Sequence, residues 1–180
     1  MKNRKLSKRY AQGLINSIAD EKEYTALSNQ LKKIDRIFSG HEELDRIFKQ
    51  PFLSTAKKKQ LAEEILGRLT LSSKIENFIL LLIEHDRMEL LSNILELLPD
   101  MWNEKNGIST FEVISVIPLT EAQTQKLSAK LKKMEKSPVA LKFKQDPSLI
   151  GGLSIKKGNV VYDISLKGDF NKLMEKIKQG

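Results

Sequence analysis

The sequence predicts an α+β fold: an all-α bundle of six helices over residues 1–106, followed by a small α/β domain over residues 107–180. Three observations predict it. Through the first part, apolar residues recur every three or four positions, the period of a helix face. At Asn106-Gly107 that period gives way to β-branched and aromatic runs, with alternation of the strand type. Glycine, proline and serine punctuate the chain at the points where these segments end.

The first helix carries Leu6, Tyr10, Leu14 and Ile18, with Ala11 and Ile15 one position on, so one face is apolar. A second carries Tyr24, Leu27, Leu31, Ile34 and Ile37 and stops at Ser39-Gly40. A short third piece runs from His41 to Lys49 and ends before Pro51. A fourth begins near Thr55 with Leu61, Ile65 and Leu69 inward. Ser72 or Ser73 caps a fifth, with Glu76 placed for a capping box. From Ile75 to Ile83 this fifth helix is apolar nearly all round, which makes it central. The sixth runs from about Leu90 to Asn106 and stops at Gly107, with Pro99 expected to kink or break it. Short connections between these helices imply antiparallel neighbours.

The second part reads in the order β-α-β-β-β-α. Phe111 to Ile117, closed by Pro118, is a strand expected to be buried on both faces. Thr120 with Gln123 makes a capping box for a lysine-rich helix carrying Leu127, Leu131 and Met134. After Pro138, Val139, Leu141 and Phe143 alternate with Ala140, Lys142 and Lys144 as a half-exposed strand. Leu153 and Ile155 mark a third strand, and the two-residue turn Gly158-Asn159 leads into a fourth from Val160 to Ile164. A last helix starts near Gly168-Asp169 and buries Phe170, Leu173, Met174 and Ile177.

Composition excludes several chemistries. There is no cysteine, hence no disulfide, thiolate metal site or cysteine nucleophile. His41 and His85 lack any metal-ligand spacing, no metal or other cofactor is expected, and no serine stands in a G-x-S-x-G elbow. Carboxylate pairs such as Glu42-Glu43 and Glu63-Glu64 fall on polar helix faces. Gly151-Gly152 runs directly into a strand, so it reads as a tight bend and not as a phosphate cradle. The longest apolar run, Phe78 to Ile83, is far shorter than the roughly 18 residues that cross a bilayer. The basic start Met1-Lys2-Asn3-Arg4-Lys5 precedes an amphipathic pattern and not a secretory signal, so membrane association is expected to be indirect.

The net charge of +8 is unevenly placed. Residues 1–106 hold 18 Lys and Arg against 16 Asp and Glu, whereas residues 107–180 hold 13 against 7. The second part therefore suits an acidic partner, either nucleic acid or an acidic protein surface, and fits equally well lysines kept on the surface for solubility. A basic RNA- or ribosome-associated protein is the alternative reading. Against nucleic acid stands the shortage of stacking aromatics, since Phe111, Phe143, Tyr162 and Phe170 all fall at positions the pattern assigns to the core.

The stretch from Asp146-Pro147 through Gly151-Gly152 to Ile155 resembles the signature of the F-type ATP synthase delta subunit and oligomycin-sensitivity-conferral protein family. In that family an acidic-Pro pair, an apolar pair, Gly-Gly and a short alternating strand precede a polar turn, a second strand and a terminal helix. Residues Lys156 to Ile177 follow the same order. Arg9-Tyr10-Ala11 with Leu14 resembles the family's opening R-Y-A-x-A-L, with Gly13 in place of the usual alanine. Pro51-Phe52-Leu53 before Lys57-Lys58-Lys59 matches its loop into the fourth helix, and Asn77 to Leu82 with Arg87 resembles its N-F-L-x-L-L…R segment.

The resemblance implies a non-catalytic stator in the peripheral stalk of a proton-translocating ATP synthase, held at the cytoplasmic face of the membrane through the complex. Torque on a central shaft does useful work only if the catalytic head is kept from turning with it. The helical domain is then expected to hold the N-terminal helix of an alpha subunit, and the C-terminal domain to join the end of the b subunit. By the same resemblance the helix-binding groove lies between the first and fifth helices, with Tyr10, Ala11, Leu14, Phe78, Leu81 and Leu82 as candidates. Each of the six fits bundle core equally well. The fifth helix, however, has more apolar perimeter than one small bundle readily covers.

Overall fold

The structure, a computed structural model, describes residues 2–49, 53–149 and 152–165. Pro51 and Phe52, Gly151, and the expected last helix with Phe170, Leu173, Met174 and Ile177 lie outside the described residues. The chain divides into two units, Met1–Trp102 and Asn103–Gly180.

In the first unit, α1 spans Lys2–Ser17, α2 Glu21–Gly40, α3 Glu42–Lys49, α4 Thr55–Leu66 and α5 Ser73–Glu84, and α6, Leu91–Lys105, entered through a 3-10 turn at Met88–Leu90, carries the chain past the unit's end at Trp102. Their buried faces meet in one core, in which Ile15, Leu31, Ile34, Ile75, Ile79, Leu82 and Ile94 are fully enclosed. The α2 start is fixed by a reciprocal pair: Glu23 N–H donates to Asp20 Oδ1 (2.8 Å), and Ala19 N–H donates to Glu23 Oε2 (2.8 Å). Tyr24 stacks on Trp102 with centroids 4.6 Å apart and planes 4° from parallel. Phe38 meets Phe48 edge-on at 4.9 Å.

Three local expectations are corrected. Ser72 caps α5, which puts Ile75 and not Glu76 at the third helical position, so no capping box forms. Instead the Ser72 hydroxyl and N–H both donate to Gln30 Oε1 of α2. The inward face of α4 is Lys58, Ala62 and Leu66, one position beyond Leu61, Ile65 and Leu69, which are only half-buried. The long apolar stem of Lys58 allows this, because its ammonium finds an acidic partner at the edge of the core. Of the kink or break expected at Pro99 the break does not occur: α6 continues through it, since one lost N–H weighs little against the burial of Leu91, Ile94, Leu98, Met101 and Trp102. Helix α5 buries Ile75, Phe78, Ile79, Leu82 and Ile83, and Leu81, 41% exposed, is the part of its apolar perimeter that the bundle leaves uncovered.

The second unit builds β1 (Ser109–Ser115), α7 (Glu121–Glu135), β2 (Val139–Gln145), β3 (Gly152–Lys157) and β4 (Val160–Ser165) into a sheet of order β2-β1-β3-β4. β1 and β2 are parallel, with α7 as their crossover, while β1/β3 and β3/β4 are antiparallel. The expected capping box of α7 is present on Thr120 and Gln123. Phe111, Leu131 and Ile155 form the small core, with Leu127, Val139 and Leu141 packed against it. Lys157 ion-pairs with Glu135 of α7, and its ammonium lies 5.6 Å from the centre of the Phe111 ring. The hydrogen bond from Lys157 holds the Glu135 carboxyl below its ordinary range, against the cost of desolvation and helped by the charge of Lys157 and by Ser109.

Burial alternates along β1, with Phe111, Val113 and Ser115 buried and the residues between them half-buried, so this strand is not enclosed on both faces. Ile117, beyond it, is 70% exposed. The register aligns Phe143, Val113, Ile155 and Tyr162 in one row across the sheet. Val113 and Ile155 in the middle are buried, while Phe143 and Tyr162 on the edge strands are half-exposed. Their assignment to the core is therefore overturned: Leu127 and Leu131 of α7 pack with Phe111, Ile155, Val139 and Leu141, and Phe143 and Tyr162 lie outside that cluster. The mixed helix-and-sheet class is as the sequence predicts.

Candidate binding groove

The spacing that makes α1 amphipathic leaves a second stripe beside the buried one. Leu6, Tyr10, Gly13, Leu14 and Ser17 follow one another along one side of α1, and Lys74, Asn77, Phe78, Leu81 and His85 do the same along α5. These two stripes border an open trough of about 730 Å³. Its floor is Leu14 and Phe78, both under a tenth exposed, and its lip is Leu81. One end is tied by Lys74, whose ammonium donates to the Ser17 carbonyl (2.6 Å) and to Glu23 Oε1 (2.5 Å). Arg9 and His85 add nitrogen-bearing side chains to the rim.

Of the six residues expected at a groove, four line this trough: Tyr10, Leu14, Phe78 and Leu81. Ala11 and Leu82 do not; both are 0% exposed and belong to the core. A single helical step separates Leu81 from Leu82, and about 100° of rotation takes the side chain from the lip to the interior. Sequence reasoning missed Leu6, Arg9, Gly13, Ser17, Lys74 and Asn77 as lining residues, and it read His85 only as a helix-end histidine. The signal was present in the i, i+3, i+4, i+7 spacing of Lys74, Asn77, Phe78 and Leu81.

The acidic-Pro signature lies in the other unit and makes a turn. Asp146 N–H donates to the Ser115 carbonyl (3.0 Å), and Asp146 Oδ1 accepts from Ser148 N–H (2.9 Å). Pro147 is exposed within this turn, and Gly152 opens β3 at φ 83°, a conformation that side chains other than hydrogen rarely adopt. Among the described residues no cluster of three or more His, Asp or Glu is placed to hold a metal ion. No helix of the described residues is long and apolar enough to cross a membrane.

The trough is thus largely apolar, with Arg9, Lys74 and His85 on its rim. What the chain is similar to comes from comparison with known proteins. The family model described as ATP synthase delta (OSCP) subunit matches residues 6–177. The chain belongs to the ATP synthase delta (OSCP) family. Among curated relatives, ATP synthase subunit delta of Geotalea uraniireducens is 28% identical over 180 residues, all of both chains. The chloroplastic ATP synthase subunit delta of Galdieria sulphuraria is 36% identical over 171 residues, covering 92% of this chain and 94% of the relative. The fold is also that of a chain in the cryo-EM structure of the Toxoplasma gondii mitochondrial ATP synthase hexamer, with a TM-score of 0.65, 16% identity, and 96% and 97% of the two chains covered.

As a delta-family subunit, the chain is a non-catalytic stator component of the F-type ATP synthase peripheral stalk. It works within the complex between the alpha/beta head and the stalk, as a peripheral subunit of a membrane-bound machine. Family membership decides between the stator and RNA-binding readings. The surface alone would not, given half-exposed Phe143 and Tyr162 beside lysine-bearing strands.

Proposed function

We propose that the trough between α1 and α5 seats an amphipathic helix from the N-terminus of an alpha subunit, and that the Asn103–Gly180 unit joins the C-terminal end of the b subunit. The observation that carries the first assignment is the trough itself, with Leu81 held 41% exposed on its lip beside Phe78 and Tyr10. A helix laying its apolar face there removes this surface from water, at about 25 cal/mol for each Å² buried. Arg9 on the rim favours a partner helix with a carboxylate along its flank, while Lys74 is already paired with Glu23.

The second assignment is supported by what the other unit leaves uncovered. Ile117, Met134, Phe143, Val160 and Tyr162 are exposed, and residues 107–180 carry 13 basic against 7 acidic side chains. An acidic stalk end with an apolar stripe complements both features. The helices of residues 1–106 then act as a six-helix bundle that caps the head, at the cytoplasmic face of a proton-translocating enzyme.

The test is a pull-down from solubilised membranes with the full chain as bait. The native chain should bring alpha, beta and b subunits, and Leu81→Asp should bring b without alpha and beta. Retention of alpha and beta by Leu81→Asp, at the native level, would remove the trough from the head contact.

A further inference from the structure

The outer side of α2 gathers cations. Asn29, Lys32, Lys33, Arg36 and Ile37 follow one another at helical spacing, and with His41, which closes the helix, they line an open hollow of about 440 Å³. All but Ile37 are exposed. Lys32 and Arg36 stand four positions apart and Lys33 and Arg36 three, spacings at which like charges repel and weaken a helix. Asp35, the one carboxylate of α2 within a turn of them, lines a different cavity and accepts from the Ser92 hydroxyl (2.7 Å). Glu42 and Glu43 open α3 directly after His41, yet none of the four nitrogen-bearing groups forms an ion pair among the described residues. The helix dipole does not account for the cluster, because its pull is confined to the last turn and Lys32 and Lys33 lie about two turns before Gly40. General excess charge does not either: residues 1–106 hold 18 basic side chains against 16 acidic.

We infer that this face of α2 is a second docking surface of the bundle, and that its occupant is a carboxylate-rich polypeptide segment of another subunit in the complex. Charge complementarity carries the choice: Lys32, Lys33 and Arg36, with the His41 imidazole beside them, line the hollow with no acid among them. Extent narrows it further. From Asn29 to His41 the stripe runs about 18 Å, more than a single phosphate or carboxylate reaches and the span of a short run of Asp and Glu. The lining holds no aromatic ring on which a base would stack, which separates this face from a seat for single-stranded nucleic acid. An acidic segment there relieves the repulsion that Lys32, Lys33 and Arg36 keep in the free chain. This surface is distinct from the trough between α1 and α5, and it stands whatever the trough binds.

The experiment treats ATP synthase isolated with this subunit with a zero-length carbodiimide, which joins an ammonium to a carboxylate only where the two touch. Mass spectrometry then maps the joined peptides. The expected result is Lys32 or Lys33 joined to Asp or Glu of another subunit. Joining of these lysines only within their own chain, or of neither while other lysines of the chain are joined, overturns the docking surface. A second measurement follows the fluorescence anisotropy of a labelled polyglutamate peptide of about 12 residues, titrated with the full chain at about 0.05 M salt. It compares the native chain with Lys32→Gln/Lys33→Gln/Arg36→Gln and with Lys8→Gln/Lys57→Gln/Lys59→Gln, which removes as much charge from exposed positions elsewhere in the bundle. The α2 variant should keep or raise its Tm and bind the peptide about tenfold more weakly, while the control variant binds at near-native strength. Equal weakening in both variants reduces the effect to overall charge and overturns the site. A labelled oligouridylate that loses more affinity than the peptide in the α2 variant overturns the polypeptide as occupant.

Discussion

The ammonium of Lys58 lies 2.6 Å from Oδ1 of Asp86, joining a side chain that is 3% exposed to one that is 57% exposed. The pair ties α4 to the turn after α5, and the same ammonium reaches the Phe48 carbonyl of α3 at 3.5 Å. Asp86 holds a left-handed backbone angle, φ 52°, which aspartate tolerates better than most residues. Asp86→Ala leaves a buried ammonium without its charged partner and should lower unfolding free energy by about 2 kcal/mol. Lys58→Met removes both charge and demand, and should cost less or even stabilise. Urea titration of the two variants checks the order, and equal losses would show that the charge is not what matters.

Tyr24 gives the account a dependence on alkaline pH. Its phenol is pushed above the ordinary range, first by burial against Trp102 and next by the negative charge of Asp100, with a hydrogen bond to Ser28 opposing. The folded state therefore favours the neutral phenol. Its contribution is complete below the unfolded value of about 10 and is lost as pH rises through the higher folded value. Melting temperatures of the native chain and Tyr24→Phe should run parallel up to about pH 9 and converge above it, as the native advantage disappears. Curves that stay parallel to pH 11 or so would contradict the shift.

Leu81 and Leu82 are neighbours in sequence with opposite duties. Leu82 is fully enclosed, so Leu82→Ala should cost about 2–5 kcal/mol of stability through the cavity it leaves. Leu81→Ala should cost about 1 kcal/mol or less, with its main effect on head binding. Denaturant unfolding beside the pull-down separates the two. Comparable destabilisation by both would make Leu81 a core residue.

The division of labour between the units has its own test. Residues 1–106 alone should fold, recover alpha and beta, and fail to recover b. Because basic charge is concentrated in residues 107–180, recovery of b by the full chain should weaken between about 0.05 and 0.5 M salt. Retention of b by the shorter piece would contradict the assignment.

Helix spacing was legible in the sequence wherever a stripe of apolar residues repeats, as from Leu6 to Ile18, and so was the capping box on Thr120 and Gln123. The helix-to-strand change was legible too, because Gly107 ends α6 and β-branched residues follow. Burial around α5 was not. An all-apolar run such as Phe78 to Ile83 does not say which of its residues faces a gap between helices, and that depends on where α1 lies. Edge positions were likewise hidden: Phe143 and Val113 look alike in pattern, and only the strand order β2-β1-β3-β4 exposes one and buries the other. Lys58 misled for a related reason, since its partner Asp86 is 28 residues away.

The most direct measurement is proton pumping driven by ATP hydrolysis, in vesicles holding ATP synthase stripped of this subunit and resupplied with the native chain or with Leu81→Asp. If the chain holds the head through the α1/α5 trough, the native chain restores pumping, while Leu81→Asp leaves ATP hydrolysis running with little proton gradient. Pumping restored equally by Leu81→Asp, with the variant shown to be folded, would contradict the account.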